Sequence, residues 1–143
     1  GYERYIGYRD TLINAGLKIN DRYVFASNYT ESGGYLCGKK TLGLEDRPTA
    51  VVASNDLMAI GFMNACEEEK VKNPDDIAVV GMDNTDLAGR VTPKLTSVAM
   101  IQEEIGRNAA QILMDQLNGE KPEKKKIRLV PRLVVRESSV RMG

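Results

Sequence analysis

The sequence predicts an α/β fold, a parallel sheet with helices on both faces. Three observations carry this. Ala50-Val51-Val52-Ala53 and Ile77-Ala78-Val79-Val80-Gly81 are short apolar runs, rich in β-branched residues, that read as buried strands. Each stops at a polar break, Ser54-Asn55-Asp56 and Met82-Asp83-Asn84. Between them Met58, Ile60, Phe62, Met63 and Cys66 recur at helical spacing. Strands that alternate with helices fit a parallel sheet, because parallel neighbours need a crossover between them.

In chain order, Glu3 to Gly16 reads as the first helix. Tyr5, Ile6, Tyr8, Leu12, Ile13 and Ala15 form its apolar positions, and Gly16 is a natural stop. Arg4 lies in the first turn, where a basic residue opposes the helix dipole. It is either a solvated surface residue or one matched to an anionic or hydroxyl-bearing partner. Tyr23-Val24-Phe25-Ala26 reads as a short strand and Asn28-Tyr29-Thr30 as the loop after it. Thr30 or Ser32 suits the cap of a helix running to Leu42, weakened in its first turn by Gly33 and Gly34. Tyr29, where strand gives way to helix, is a packing lid or a stacking platform.

Asn55 and Asp56 are strong caps for the helix that ends near Lys70, since a short side-chain oxygen accepts an orphan amide of the first turn. The same strand-to-helix position also serves ligands. Asp83 occupies an equivalent place, as a turn residue bonding its own backbone or as a ligand group. Three strand ends thus bring Tyr29, Asn55 and Asp83 to one edge, the usual constellation of a small-molecule cleft.

Thr92-Pro93-Lys94 interrupts the pattern before a short strand, Leu95 to Val98. Ile101 to Leu117 is an amphipathic helix with Ile105, Ala109, Ile112, Leu113 and Leu117 on its apolar face. Glu120 to Lys126 reads as a charged surface loop. Ile127–Val130 and Arg132–Arg136 read as closing strands around Pro131, which marks an edge or a break. Ser138 to Gly143 reads as a tail.

Composition bounds the chemistry. The chain has 143 residues, 42% of them hydrophobic, enough for a core and for one domain or part of a larger one. Lys+Arg and Asp+Glu both number 20, so net charge gives no pull toward nucleic acid or a membrane surface. No run of about 18 apolar residues is present to span a bilayer, and no signal peptide is visible. The start at Gly1, without Met, predicts a chain cut from something longer. Cys37 and Cys66 sit in apolar helical contexts and read as buried free thiols of a reducing cytoplasm. Histidine is absent, and no cysteine or carboxylate group has metal-site spacing, so neither the usual hydrolytic triad nor a metal centre is expected.

Several stretches together resemble the LacI/GalR family of bacterial transcriptional regulators. They are Glu3-Arg4-Tyr5-Ile6-Gly7-Tyr8, Arg47 to Val51, Asn55 to Gly61, Val79 to Asn84, Thr92 to Val98 and Arg132 to Ser139. The match covers nearly the whole chain in order and spacing. The resemblance implies a type I periplasmic-binding-protein-like fold of two lobes with a ligand between them, behind a DNA-binding helix-turn-helix that this chain does not contain. It implies that residues 1–98 form most of the C-terminal lobe, without the strand expected before the first helix. Residues 99–126 would be a returning helix and loop of the other lobe, and 127–143 closing strands and tail. That helix would then expose an apolar face.

By motif, Arg4 resembles the family's effector-binding arginine, Asp83 its effector-binding acid, Tyr29 the aromatic that stacks on the ligand, and Asn55 a position that hydrogen-bonds sugar hydroxyls. The Asp56–Ala65 helix, with Met58 and Phe62, and the Leu87–Thr92 segment, with Leu87, Arg90 and Val91, resemble parts of its dimer interface. Met82 departs from the family's usual Tyr or Phe. The implied function is the effector-binding and dimerisation core of a cytoplasmic repressor. It would take a small molecule, a sugar above all, to control operator DNA binding, with no cofactor, no membrane and no catalysis. A sugar-binding protein of a transport system is the alternative. An enzyme is disfavoured by the lack of a Gly-rich phosphate loop, a nucleophile elbow and histidine.

Overall fold

The computed structural model describes residues 1–120 and 127–140. The expected charged loop beyond Glu120, and the last three residues of the expected tail, lie outside them. Helix α1 spans Tyr2–Asn14, α2 Glu31–Leu42, α3 Asp56–Glu68 and α4 Gln102–Leu117. Strand β1 spans Ala50–Val52, β2 Ala78–Asp83, β3 Thr96–Ala99 and β4 Arg132–Val134. They form one sheet in the order β1-β2-β3-β4. β1, β2 and β3 run parallel, with Val51 opposite Val79 and Gly81 opposite Ser97. β4 joins antiparallel, Val98 opposite Leu133, so the sheet is mixed at that edge. The fold is an open α/β sheet with helices, as expected for this class.

The core lies between β2 and α3. Ile77, Val79 and Leu95 pack with Ala59, Ile60, Phe62, Met63 and Cys66. α3 is therefore covered by the sheet on one side and by α2 on another. That second contact is close enough to need glycine. A Cβ built on Gly61 meets the Glu31 carbonyl oxygen at 1.9 Å, and one on Gly34 meets the Met58 carbonyl oxygen at 2.1 Å. Gly34 weakens α2 by propensity, but it lets two backbones touch.

Three expectations are corrected. Tyr23 to Ala26 is not a strand: a 3-10 turn takes Asp21–Tyr23, and no ladder partner exists for the rest of the segment among the described residues. A strand is a pairing, so an apolar β-branched run alone does not make one. Ile127–Val130 forms no strand either, and β4 stops at Val134. Finally, Ser138 is no part of a loose tail. It is fully buried, its Oγ donates to the Val79 carbonyl at 2.7 Å, and it accepts the Thr96 amide at 2.8 Å. A 3-10 turn, Glu137–Ser139, delivers it between β2 and β3.

α1 and α4 bury no residue. On α4, Ile105, Leu113 and Leu117 are exposed, so the apolar stripe legible in the sequence faces solvent in this chain.

Candidate functional site

The carboxyl ends of the parallel strands carry the polar groups, because each strand stops where a helix or turn begins. Asp83 closes β2 with φ +102°, and Asn84 follows with φ +51°. Both lie in the left-handed region that non-glycine residues seldom adopt. Arg4 reaches Asp83 from the first turn of α1. Its Nη2 lies 3.2 Å from Asp83 Oδ1, and its Nη1 donates to the Ser54 carbonyl at the end of β1. The arginine that opposed its helix dipole thus has a tertiary reason for its place. Both side chains stay about one third exposed, 33% and 30%, so the pair is open to a ligand from solvent.

Loss of hydration raises the carboxyl of Asp83 above the ordinary aspartate range. The positive charge of Arg4 pulls it down, and the negative charge of Asp56 pushes it up. Desolvation prevails, so the site holds a carboxylate that water serves poorly.

Asn55 and Tyr29 meet on the same edge. The Asn55 side chain accepts the Met58 amide at 2.9 Å, which makes it the cap of α3. Its Nδ2 also donates to the Tyr29 carbonyl at 2.9 Å. Tyr29 has φ +63° and an exposed ring. Arg4 and Tyr29 line one groove of about 440 Å³ with Tyr5, Tyr8, Ser54 and Met82. The groove continues along the free edge of β1 to Val24–Ser27. All four candidate residues therefore gather at one sheet edge, in two bonded pairs: Arg4 with Asp83, and Asn55 with Tyr29. Among the described residues no cluster of acids, cysteines or histidines could hold a metal ion.

The expected interface residues separate. Leu87 and Arg90 are exposed and Val91 is half-buried. Met58 and Phe62 belong to the core, each less than one tenth exposed, because α2 and the sheet cover that side of α3. Leu57 and Asn64 are among the α3 residues at the surface of this chain.

Other residues of the site escaped sequence reasoning. Asp56 read as a cap, yet its carboxylate is buried and accepts from Thr85 and Ser97. Arg136 read as a strand residue, yet its guanidinium donates to the Leu95 carbonyl and to Asn84 Oδ1, both at 2.7 Å. The one local signal was a Thr-Ser pair inside an otherwise apolar strand.

Comparison with known proteins agrees with the geometry. The family described as periplasmic binding protein-like domain matches residues 1–139. The HTH-type transcriptional repressor PurR of Vibrio campbellii is 35% identical over 136 residues, which is 95% of this chain and 41% of that protein. Among solved structures, a transcriptional regulator CelR–cellobiose complex superposes with a TM-score of 0.91 at 33% identity, over 96% of this chain and 42% of that one. A regulatory protein of the LacI family from Chloroflexus aggregans gives 0.92 at 34% identity, over 98% and 50%. The chain spans about two fifths of the length of the curated relatives it matches. It belongs to the periplasmic binding protein-like domain family, and within that family to the effector-binding domains of LacI/GalR-type regulators.

Proposed function

We propose that this chain is the effector-binding and dimerisation part of a LacI/GalR-type transcriptional repressor, and that a small polyhydroxylated molecule, a sugar, binds at the Arg4–Asp83 edge. The observation that carries the reading is the partly exposed Arg4–Asp83 pair beside Tyr29 and Asn55. A polyol must replace its lost water. Hydrogen bonds to charged groups do so at about 1.5–3 kcal/mol each. An aromatic face such as that of Tyr29 covers the apolar face of a sugar ring. The similarity to a regulator solved with cellobiose supports this ligand class.

In this reading residues 1–98 form most of one lobe, and α4 belongs to a second lobe whose surface covers Ile105, Leu113 and Leu117. Leu87, Arg90 and Val91 face the second subunit of a homodimer. Ligand binding closes the lobes and reorients helix-turn-helix heads carried elsewhere in the protein, so effector and operator affinities are reciprocally coupled. The protein acts in the cytoplasm and is not an enzyme. The curated relatives it matches are repressors, which favours regulation over transport.

The test is a thermal-shift screen of the full-length protein against mono- and disaccharides, nucleobases and sugar phosphates. A ligand at a hundredfold excess over its dissociation constant stabilises by about 2.7 kcal/mol. A sugar hit that vanishes in Asp83→Ala supports the site. A sugar hit unchanged in that variant removes Asp83 from it, and a hit confined to nucleobases replaces the ligand class.

A further inference from the structure

We propose that Asp56 is a positioning residue for this site: its buried carboxylate holds the loop that presents Asp83 to Arg4. The inference rests on the site reading above, and it begins from backbone conformation. Asp83 and Asn84 are consecutive non-glycine residues with positive φ. Each such residue stores backbone strain and persists only where its surroundings fix it. The fixing groups are identifiable. Asp56 Oδ2 accepts the Thr85 amide at 2.7 Å and the Thr85 hydroxyl at 2.9 Å. Asp56 Oδ1 accepts the Ser97 hydroxyl at 2.5 Å. Ser97 Oγ in turn accepts the Asn84 amide at 3.0 Å. The carboxylate therefore grips the loop directly at Thr85 and indirectly at Asn84.

Space is kept for this carboxylate. A Cβ on Gly81 would stand 2.5 Å from Asp56 Oδ1, so β2 runs bare of side chain where the acid sits. Asp56 is 1% exposed and accepts all three of its bonds from neutral donors, with no counter-ion among them. Stability alone is a weak reason to bury a lone acid this way. The neighbouring residue does the same work on the other side. Asn55 Nδ2 holds the carbonyl of Tyr29, the third positive-φ residue of this edge. The first turn of α3 thus clamps both strained loops, through Asn55 to Tyr29 and through Asp56 to Asp83.

The test is nuclear magnetic resonance of the full-length protein, reading together the three-bond amide-proton couplings of Asp83 and Asn84 to Hα, Cβ and the carbonyl carbon, which in combination fix φ and its sign. These couplings do not depend on the charge of Asp56, whereas the titration of Asp83 does, so the couplings decide. In Asp56→Asn the couplings are expected to move toward values for negative φ. Thr85→Val, which removes one of the three bonds and keeps the carboxylate, is expected to move them the same way by less. Gly38→Ala is the control: its added methyl would stand 2.7 Å from the Ala65 side chain, well along α3 from this loop. It should lower the unfolding midpoint and leave both couplings unchanged. A folded Asp56→Asn with wild-type couplings overturns the proposal. If that variant does not fold, wild-type couplings in Thr85→Val overturn it. Failure of the ligand reading is separate, since it shows as an Asp83→Ala variant that still answers a sugar, whatever the couplings do.

Discussion

Arg4 and Asp83, 79 positions apart, meet at 3.2 Å across the end of the sheet. This pair is the centre of the candidate site and sets its response to pH. The folded Asp83 carboxyl titrates above the ordinary aspartate value, chiefly through desolvation. A raised folded value means that the ionised group costs stability at neutral pH, and that the cost is relieved as pH falls through the folded value. Asp83→Asn tolerates the left-handed backbone. It is expected to be at least as stable as the wild type at pH 7, and to lack the wild type's gain on mild acidification. Urea unfolding of both proteins across the carboxylate range measures this. A wild type that loses stability relative to Asp83→Asn in that window would show that the charged form is favoured instead.

Arg4→Ala removes the influence that pulls the Asp83 carboxyl down. The Asp83 midpoint, followed by carboxyl carbon resonances, is expected to rise further. A fall would mean that Arg4 does not sense Asp83 in solution.

Gly61→Ala is expected to cost about 3 kcal/mol or more, because the added methyl meets the Glu31 carbonyl at 1.9 Å and the Tyr35 amide nitrogen at 2.7 Å, and neither can step aside without moving α2. Gly7→Ala has open space around it on α1 and should be neutral or gain about 0.5–1 kcal/mol. Chemical denaturation of the two variants side by side separates close approach from propensity. Equal effects would remove the packing argument.

Ser138→Ala leaves the Val79 carbonyl and the Thr96 amide without their partner inside the protein. The expected loss is about 1–3 kcal/mol in urea unfolding. A loss near zero would place the Ser138 hydroxyl in solvent.

Burial pushes the Cys66 thiol up to about 11, whereas Cys37 is only half-buried. A thiol held protonated and covered is a poor nucleophile. One thiol, Cys37, should react with a disulfide reagent at pH 8 in the native protein, and the second only after unfolding. Two fast thiols in the native state would contradict the packing of α3.

Much of the chain was legible in sequence because its signals are local. Short apolar, β-branched runs placed β1 and β2, and the 3.6 period of apolar residues placed α3 and α4, close to their observed bounds. Short polar side chains before an apolar helix marked Asn55 and Asp56 as caps, and of the two Asn55 accepts the Met58 amide. The resemblance in motif brought Arg4, Tyr29, Asn55 and Asp83 to one edge. What was misread was not local. Tyr23–Ala26 has strand composition without a neighbouring strand among the described residues. Met58 and Phe62, placed near a subunit interface by the resemblance, are buried in this chain's own core.

The sequence by itself determined the class of fold and the positions of its main helices and parallel strands, since these follow from patterns within a dozen neighbouring residues. Tertiary structure alone decided which polar groups are paired. Arg4 finds Asp83, Asp56 holds Thr85 and Ser97, and Ser138 closes on Val79 and Thr96. Each of these pairings joins residues roughly 30 to 80 positions apart. The physical reason is that a buried polar group must be satisfied wherever the chain happens to bring a partner, and proximity in space leaves no periodic trace along the sequence.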